Sequence, residues 1–173
     1  MAFNLNAGQR AERKLLITVA EWTEGTSSVR EILGTRTEDS SIEYNADIET
    51  MTDILGINYT DINRTQPQQD FDPYLILGGS KLGAKLNDIR RRNAISELNQ
   101  FTMYIITAFV GTAGAYEAEK HTGCTIAYNS IGGDANVNFP ISVYFSNNIT
   151  TGTVDKLSDD FTFTPTSASV LGG

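Results

Sequence analysis

Residues 52–74 read TDILGINYTDINRTQPQQDFDPY. The length, the polarity and the two prolines predict a large loop. Yet Ile54, Ile57, Tyr59, Ile62, Phe71 and Tyr74 are spaced along it. A purely solvated loop needs no such side chains, so something must cover them. The cover is either this chain's own core or another copy of the chain, and the functional reading depends on which.

Upstream, Ser41–Thr50 alternates. Ile42, Tyr44, Ala46 and Ile48 point one way, and Glu43, Asn45, Asp47 and Glu49 the other. Period two predicts a strand with one buried and one wet face. Downstream, Gly78-Gly79 leads into Lys81–Leu98, the one good helical pattern, with Leu82, Leu86 and Ile89 on a single face and Ser80 as N-cap. Arg90, Arg91 and Arg92 fan ~100° apart on a helix, so at least one is expected to leave the solvent face.

Phe101–Val110, FTMYIITAFV, is apolar on both faces and reads as a strand covered on both sides. Lys14–Trp22 predicts a strand, and Val29–Arg36 a second one broken by Gly34. Thr122–Asn129 and Val137–Ser146 read as a β-pair joined by a Gly132-Gly133-Asp134 turn, with Pro140 marking an edge or a bulge. Phe161–Pro165 is a last short strand. Residues 1–12 form an N-terminal arm and 166–173 a loose tail. The sum is one mainly β, antiparallel domain with one packed helix.

The chain has 173 residues and a formal net charge of −8, with a pI near 4.6. Such a domain gains no counterion-release term on nucleic acid and does not adhere to an anionic membrane. Charge is also segregated. From Glu38 to Tyr74 there are nine acids and one cation, Arg64; from Gly78 to Leu98 there are five cations and two acids. The single cysteine, Cys124, forms no intrachain disulfide. The start carries neither a secretory leader nor a membrane span, which predicts synthesis in a reducing cytoplasm.

Catalytic motifs fail one by one. GGSKLGAK at 78–85 lacks the Ser or Thr that follows the lysine of a phosphate loop. His121 and Cys124 have metal-like spacing, but structural zinc takes four ligands and the chain has no further His or Cys; the plain reading is a turn residue and a buried strand thiol. Glu43, Asp47 and Glu49 recur every ~7 Å or its multiple on a strand, a glycosidase-like separation, but no aromatic platform accompanies them. A sugar- or receptor-binding β-domain is the other rival. No enzyme activity, metal or cofactor is expected.

The order of three segments carries a resemblance: an acid-bearing strand ending in T-D-I-x-G-x-x-Y-T, a closing Q-x-F-D-P-Y, and a helix ending in R-R-N-A before a strand ending in F-V-G. Over Ser41–Gly111 the chain resembles the tail tube (major tail) proteins of long-tailed bacteriophages, siphophage type. The resemblance implies an antiparallel β-sandwich or half-barrel with one flanking α-helix, a long β-hairpin loop and terminal arms. It implies six-subunit rings stacked into a tube in the virion tail, assembled in the host bacterial cytoplasm. The partners implied are further copies of the chain, a tape measure protein, and tail terminator and baseplate proteins. DNA passes through without specific binding. The inner tube of a phage-derived bacteriocin, a gene transfer agent or a contractile particle is the alternative context.

On that basis Glu43, Asp47 and Glu49 are expected to line the lumen, where acids repel phosphate over about one Debye length, ~8 Å. Asp53, Tyr59, Asp61, Ile62, Arg64, Phe71 and Asp72, with Arg90, Arg91 and Arg92, are expected at contacts between subunits and rings. Tyr59, Ile62 and Phe71 are expected to be buried only on assembly.

Overall fold

A computed structural model describes residues 2–166. Its centre is β7 (Phe101–Thr112), flanked by β1 (Leu16–Glu24) and β8 (Ala115–Tyr128), all antiparallel. β2 (Ser27–Ile32) closes one side against β1. The two apolar faces of β7 enter two cores. Phe101, Met103 and Ile105 join Trp22, Phe71 and the helix residues Leu82, Leu86 and Ile89. Tyr104 and Ile106 join Val19, Ala118, Val154 and Phe161. The two-sided apolar pattern is thus satisfied as expected.

β8 is longer than its sequence signal. One edge pairs with β7 between Ala115 and Cys124; the other pairs first with β10 (Ile149–Val154) and then, from Thr125, with β9 (Ile141–Tyr144). Where the partner changes, Phe101 faces Cys124 while Thr102 faces Thr122, leaving Gly123 as an extra residue at φ 77°. A glycine in the left-handed region forms such a bulge without steric cost and bends the strand. β9 then pairs with β6 (Gln68–Phe71), and β6 with β3 (Ile42–Glu43); β11 (Phe163–Pro165) pairs with β10. The result is the expected mainly β, antiparallel sandwich with one flanking helix.

The helix α1 (Lys81–Arg92) starts where expected: Gly83 N donates to Ser80 Oγ at 3.1 Å. It ends earlier. Asn93 adopts φ 54° and closes the helix, and Ile95–Asn99 is a separate 3-10 turn. A left-handed Asn is a common helix stop, and the three arginines of the last turn suit the negative end of the dipole. All three stay exposed, against the expectation that one would leave the solvent face, because the buried stripe ends at Ile89 before the final turn.

Two smaller corrections concern the 129–140 segment and His121. Residues 129–140 are a loop pinched by Gly132 and Asn138 (2.6 and 3.0 Å) rather than a tight turn. His121 lies inside β8 and is buried, not in a turn. The N-terminal arm begins docked: Phe3 bridges to Val110, and Asn4 N donates to Phe109 O at 3.0 Å. The tail expected at 166–173 lies, beyond Thr166, outside the described residues. Among those described, no helix is long and apolar enough to cross a membrane.

Candidate assembly interface

The stretch 52–74 divides in two. Phe71 and Tyr74 are 1% and 6% exposed and belong to this chain's own core. Phe71 is therefore not reserved for assembly: β6 pairs with β9, placing Phe71 opposite Ile141 inside the sandwich. Tyr74 Oη reaches Glu31 at 3.1 Å and Ser80 at 3.0 Å, and burial raises its pKa well above the ordinary tyrosine value. Ile54, Ile57, Tyr59 and Ile62 are exposed, together with Ile48, Met51 and Leu55.

These exposed residues sit on a hairpin, β4 (Asp47–Thr52) and β5 (Asn58–Arg64), which forms its own two-stranded sheet. The alternating run 41–50 is accordingly not one strand. Ile42–Glu43 belongs to the sandwich. Asn45, at φ 45°, turns the chain out, anchored by its Nδ2 on Gln66 O at 3.1 Å. Glu43 is thus separated from Asp47 and Glu49. Every residue of β4 and β5 is exposed, so the face predicted to be buried is not covered by the described residues. The tip is held by Asp53, whose Oδ1 accepts Leu55 N at 2.8 Å and Ile57 N at 2.9 Å; these bonds, Ile57 first, lower its pKa. A two-stranded hairpin alone is marginal in water.

Register sorts the side chains. Ile48 faces Ile62 and Thr50 faces Thr60; on the other face Glu49 opposes Asp61 and Met51 opposes Tyr59. Like charges directly opposite destabilise a pair of strands. Asn63 Nδ2 reaches Glu49 at 3.2 Å, and Arg64 reaches Asp47 at 3.7 Å. Both members of the second pair are more than half exposed, so it contributes only ~0–1 kcal/mol. Glu49 is expected in the lumen and Asp61 at a contact, yet the register puts them on one face.

On the helix, Arg92 is engaged at home. It binds Asp88 at 2.7 Å and Glu97 at 2.9 Å; with help from Lys85 it holds the Glu97 carboxyl down at about 2. Arg90 bonds the amide oxygen of Asn87 at 2.9 Å. Among the described residues, neither Arg90 nor Arg91 has a carboxylate at salt-bridge distance. Asp72 is exposed and accepts from Asn138 Nδ2 at 3.0 Å.

An apolar groove of about 370 Å³ runs beside α1, lined by Ile76, Ala84, Asn87, Ile131, Val137 and Phe139. Sequence reasoning missed it, because its walls come from a loop before the helix and another before β9. Its one signal was the scatter of isolated large apolar residues in those loops.

The His121–Cys124 spacing serves the core. His121 Nδ1 lies 2.9 Å from Ser146 O, and Cys124 donates to His121 O at 3.4 Å, with burial pushing the thiol pKa up. No cluster of three His, Cys, Asp or Glu side chains suited to a metal occurs among the described residues.

No protein family model matches the chain, and no curated protein matches it. A solved structure does: a chain in the cryo-EM structure of an extracellular contractile injection system, the PVC sheath–tube complex in its extended state. The TM-score is 0.50 at 12% identity, over 86% of this chain and 95% of that one. At that identity the likeness is one of fold.

Proposed function

We propose that the chain is the subunit of a tail tube, in which six copies form a ring and rings stack into a conduit for DNA. The observation that carries this reading is the hairpin 47–64. It displays Ile48, Met51, Ile54, Tyr59 and Ile62 to solvent on two strands in which no residue is buried. An exposed apolar patch of this kind marks an interaction surface, and a two-stranded sheet with both faces open needs a second surface to become stable. The fold likeness to a chain of a sheath–tube complex supports the same reading.

On this reading the protein is structural rather than catalytic. Its partners are other copies of itself and the proteins that initiate, measure and terminate the tube, and its place is the virion tail. Glu43 and Asp47, at the root of the hairpin, are assigned to the bore. Acids there hold no phosphate, whereas lysines would add salt-dependent contacts to every passing turn of DNA. Glu49 shares a face with Asp61 and is assigned with it to subunit contact.

The inner tube of a contractile particle is a second reading, favoured by the contractile injection system to which the similar chain belongs. Negative-stain microscopy of the purified protein at high concentration tests both. Rings or tubes of uniform diameter support them; a strictly monomeric species, with or without an added initiator complex, overturns them.

A further inference from the structure

Two surfaces of the molecule are incomplete in matching ways. The first is one face of the hairpin. Toward its tip it carries Met51 and Tyr59, and two residues nearer the root it carries Glu49 opposite Asp61. The apolar part is exposed, and the acidic part places like charges against each other with Arg64 turned to Asp47 instead. An external cation would relieve that repulsion.

The second surface is the groove beside α1. Its apolar walls include the exposed side chains of Ile76, Ile131 and Val137. Its helical wall is Gly83, Ala84 and Asn87. Arg91 follows the last two of these at i+7 and i+4, so it stands on the same helical stripe at the end of the groove. Arg90 is tied to the groove through Asn87. The groove is thus mainly apolar, and the helical turn that continues beyond it carries Arg90 and Arg91.

The spacings agree. Along the hairpin, the acid pair lies ~7 Å from the Met51–Tyr59 pair by strand rise. Along the helix, Arg91 lies ~6 Å from Asn87 by helical rise. The geometry points to a specific pairing between copies: the Met51–Tyr59 face of one hairpin seats in the α1 groove of a neighbouring copy, and Glu49 and Asp61 meet that copy's Arg90 and Arg91. This rests on the tube reading for its biological setting, but the contact itself is a statement about two surfaces of one chain. The occupant is a second copy because the two surfaces complement each other in both polarity and charge sign. Opposite charges at the rim of such a seat orient the encounter, while burial of the apolar pair supplies the affinity.

Charge exchange and cross-linking test it together. Glu49→Lys with Asp61→Lys, and separately Arg90→Glu with Arg91→Glu, should each raise the concentration needed for assembly about tenfold or more. The chain carrying all four changes should assemble at the wild-type concentration. All four side chains are exposed, and the far-UV spectrum of each variant should match wild type. A mixture of Tyr59→Cys and Val137→Cys chains should give a disulfide-linked dimer. Tubes of the cysteine-bearing chains that form without that cross-link, or tubes that persist in either charge-pair variant, overturn the pairing and leave the tube reading standing. A cross-linked dimer without any ring or tube retains the pairing and overturns the tube. Neither cross-link nor polymer overturns both.

Discussion

The carboxylate of Glu31 accepts the backbone amide of Leu82 at 2.9 Å. It also takes the amide of Lys81 and the hydroxyls of Ser80 and Tyr74, so an edge strand closes the N-terminus of the only α-helix among the described residues. Unpaired amides and the positive end of the dipole are satisfied by one side chain. Glu31→Gln should lower the unfolding free energy by about 1 kcal/mol and Glu31→Ala by about 2–3 kcal/mol, read from urea midpoints. Equal effects of the two would show that the charge, not the bonding geometry, matters.

Gly123 in β8 and Gly111 near the end of β7 should respond differently to substitution. At Gly123 (φ 77°) a Cβ would meet nothing within 4 Å, so Gly123→Ala carries only conformational strain, about 1–2 kcal/mol. At Gly111 (φ 92°) a Cβ would stand 2.4 Å from Ala115 O, a backbone atom that cannot step aside. Gly111→Ala should cost clearly more than Gly123→Ala in thermal or denaturant unfolding.

The Arg92–Glu97 pair predicts an acid limb. Glu97 has a folded pKa of about 2, below its unfolded value of ~4.3. A lowered carboxyl pKa means that this stabilisation is present above the unfolded value and is lost as pH falls through about 2. In Arg92→Ala, the Glu97 carboxyl carbon followed by NMR should titrate at a higher pH, part of the way back because Lys85 remains. An unmoved midpoint would remove Arg92 as the cause.

Excising residues 48–63, so that Asp47 meets Arg64 through an Asn-Gly turn, should change stability by no more than about 0.5 kcal/mol while abolishing assembly. Every residue of both strands is already exposed in the single chain. A cut at 58–69 would be a different experiment. Gln69 is buried and bonded to Thr18 at 2.7 Å and to Ser40 at 3.1 Å, and losing it breaks the sandwich.

Glu43→Lys with Asp47→Lys should leave tubes of normal appearance and slow DNA delivery, the defect easing as salt is raised. Full infectivity in low salt would dismiss the assignment of these acids to the bore.

The difference between Phe71 and Tyr59 shows what the sequence could carry. Both are aromatic residues in one polar stretch, and composition gives no reason to separate them. The separation comes from pairing: β6 is recruited by β9, far along the chain, whereas β5 has β4 as its partner in the described residues. Local signals were reliable wherever local physics decides. Ser80 caps the helix, the Leu82–Leu86–Ile89 stripe is buried, and β7 is covered on both faces. The alternation at 41–50 misled because Asn45 turns left-handed in its middle, and an asparagine among acids and amides does not announce that. The α1 groove was invisible because its walls meet only in three dimensions.

The strand β8 is common to both halves of the sandwich, bent at Gly123 rather than cut there. Its consequence is mechanical. The root of the projecting hairpin, β3, is laddered to β6, β6 to β9, β9 to β8, and β8 to β7. A pull on the arm reaches the middle of the molecule through backbone ladders in series, without crossing an interface held by side chains alone. The chain takes tension as a single beam, a property that the proposed tube would draw on at every joint.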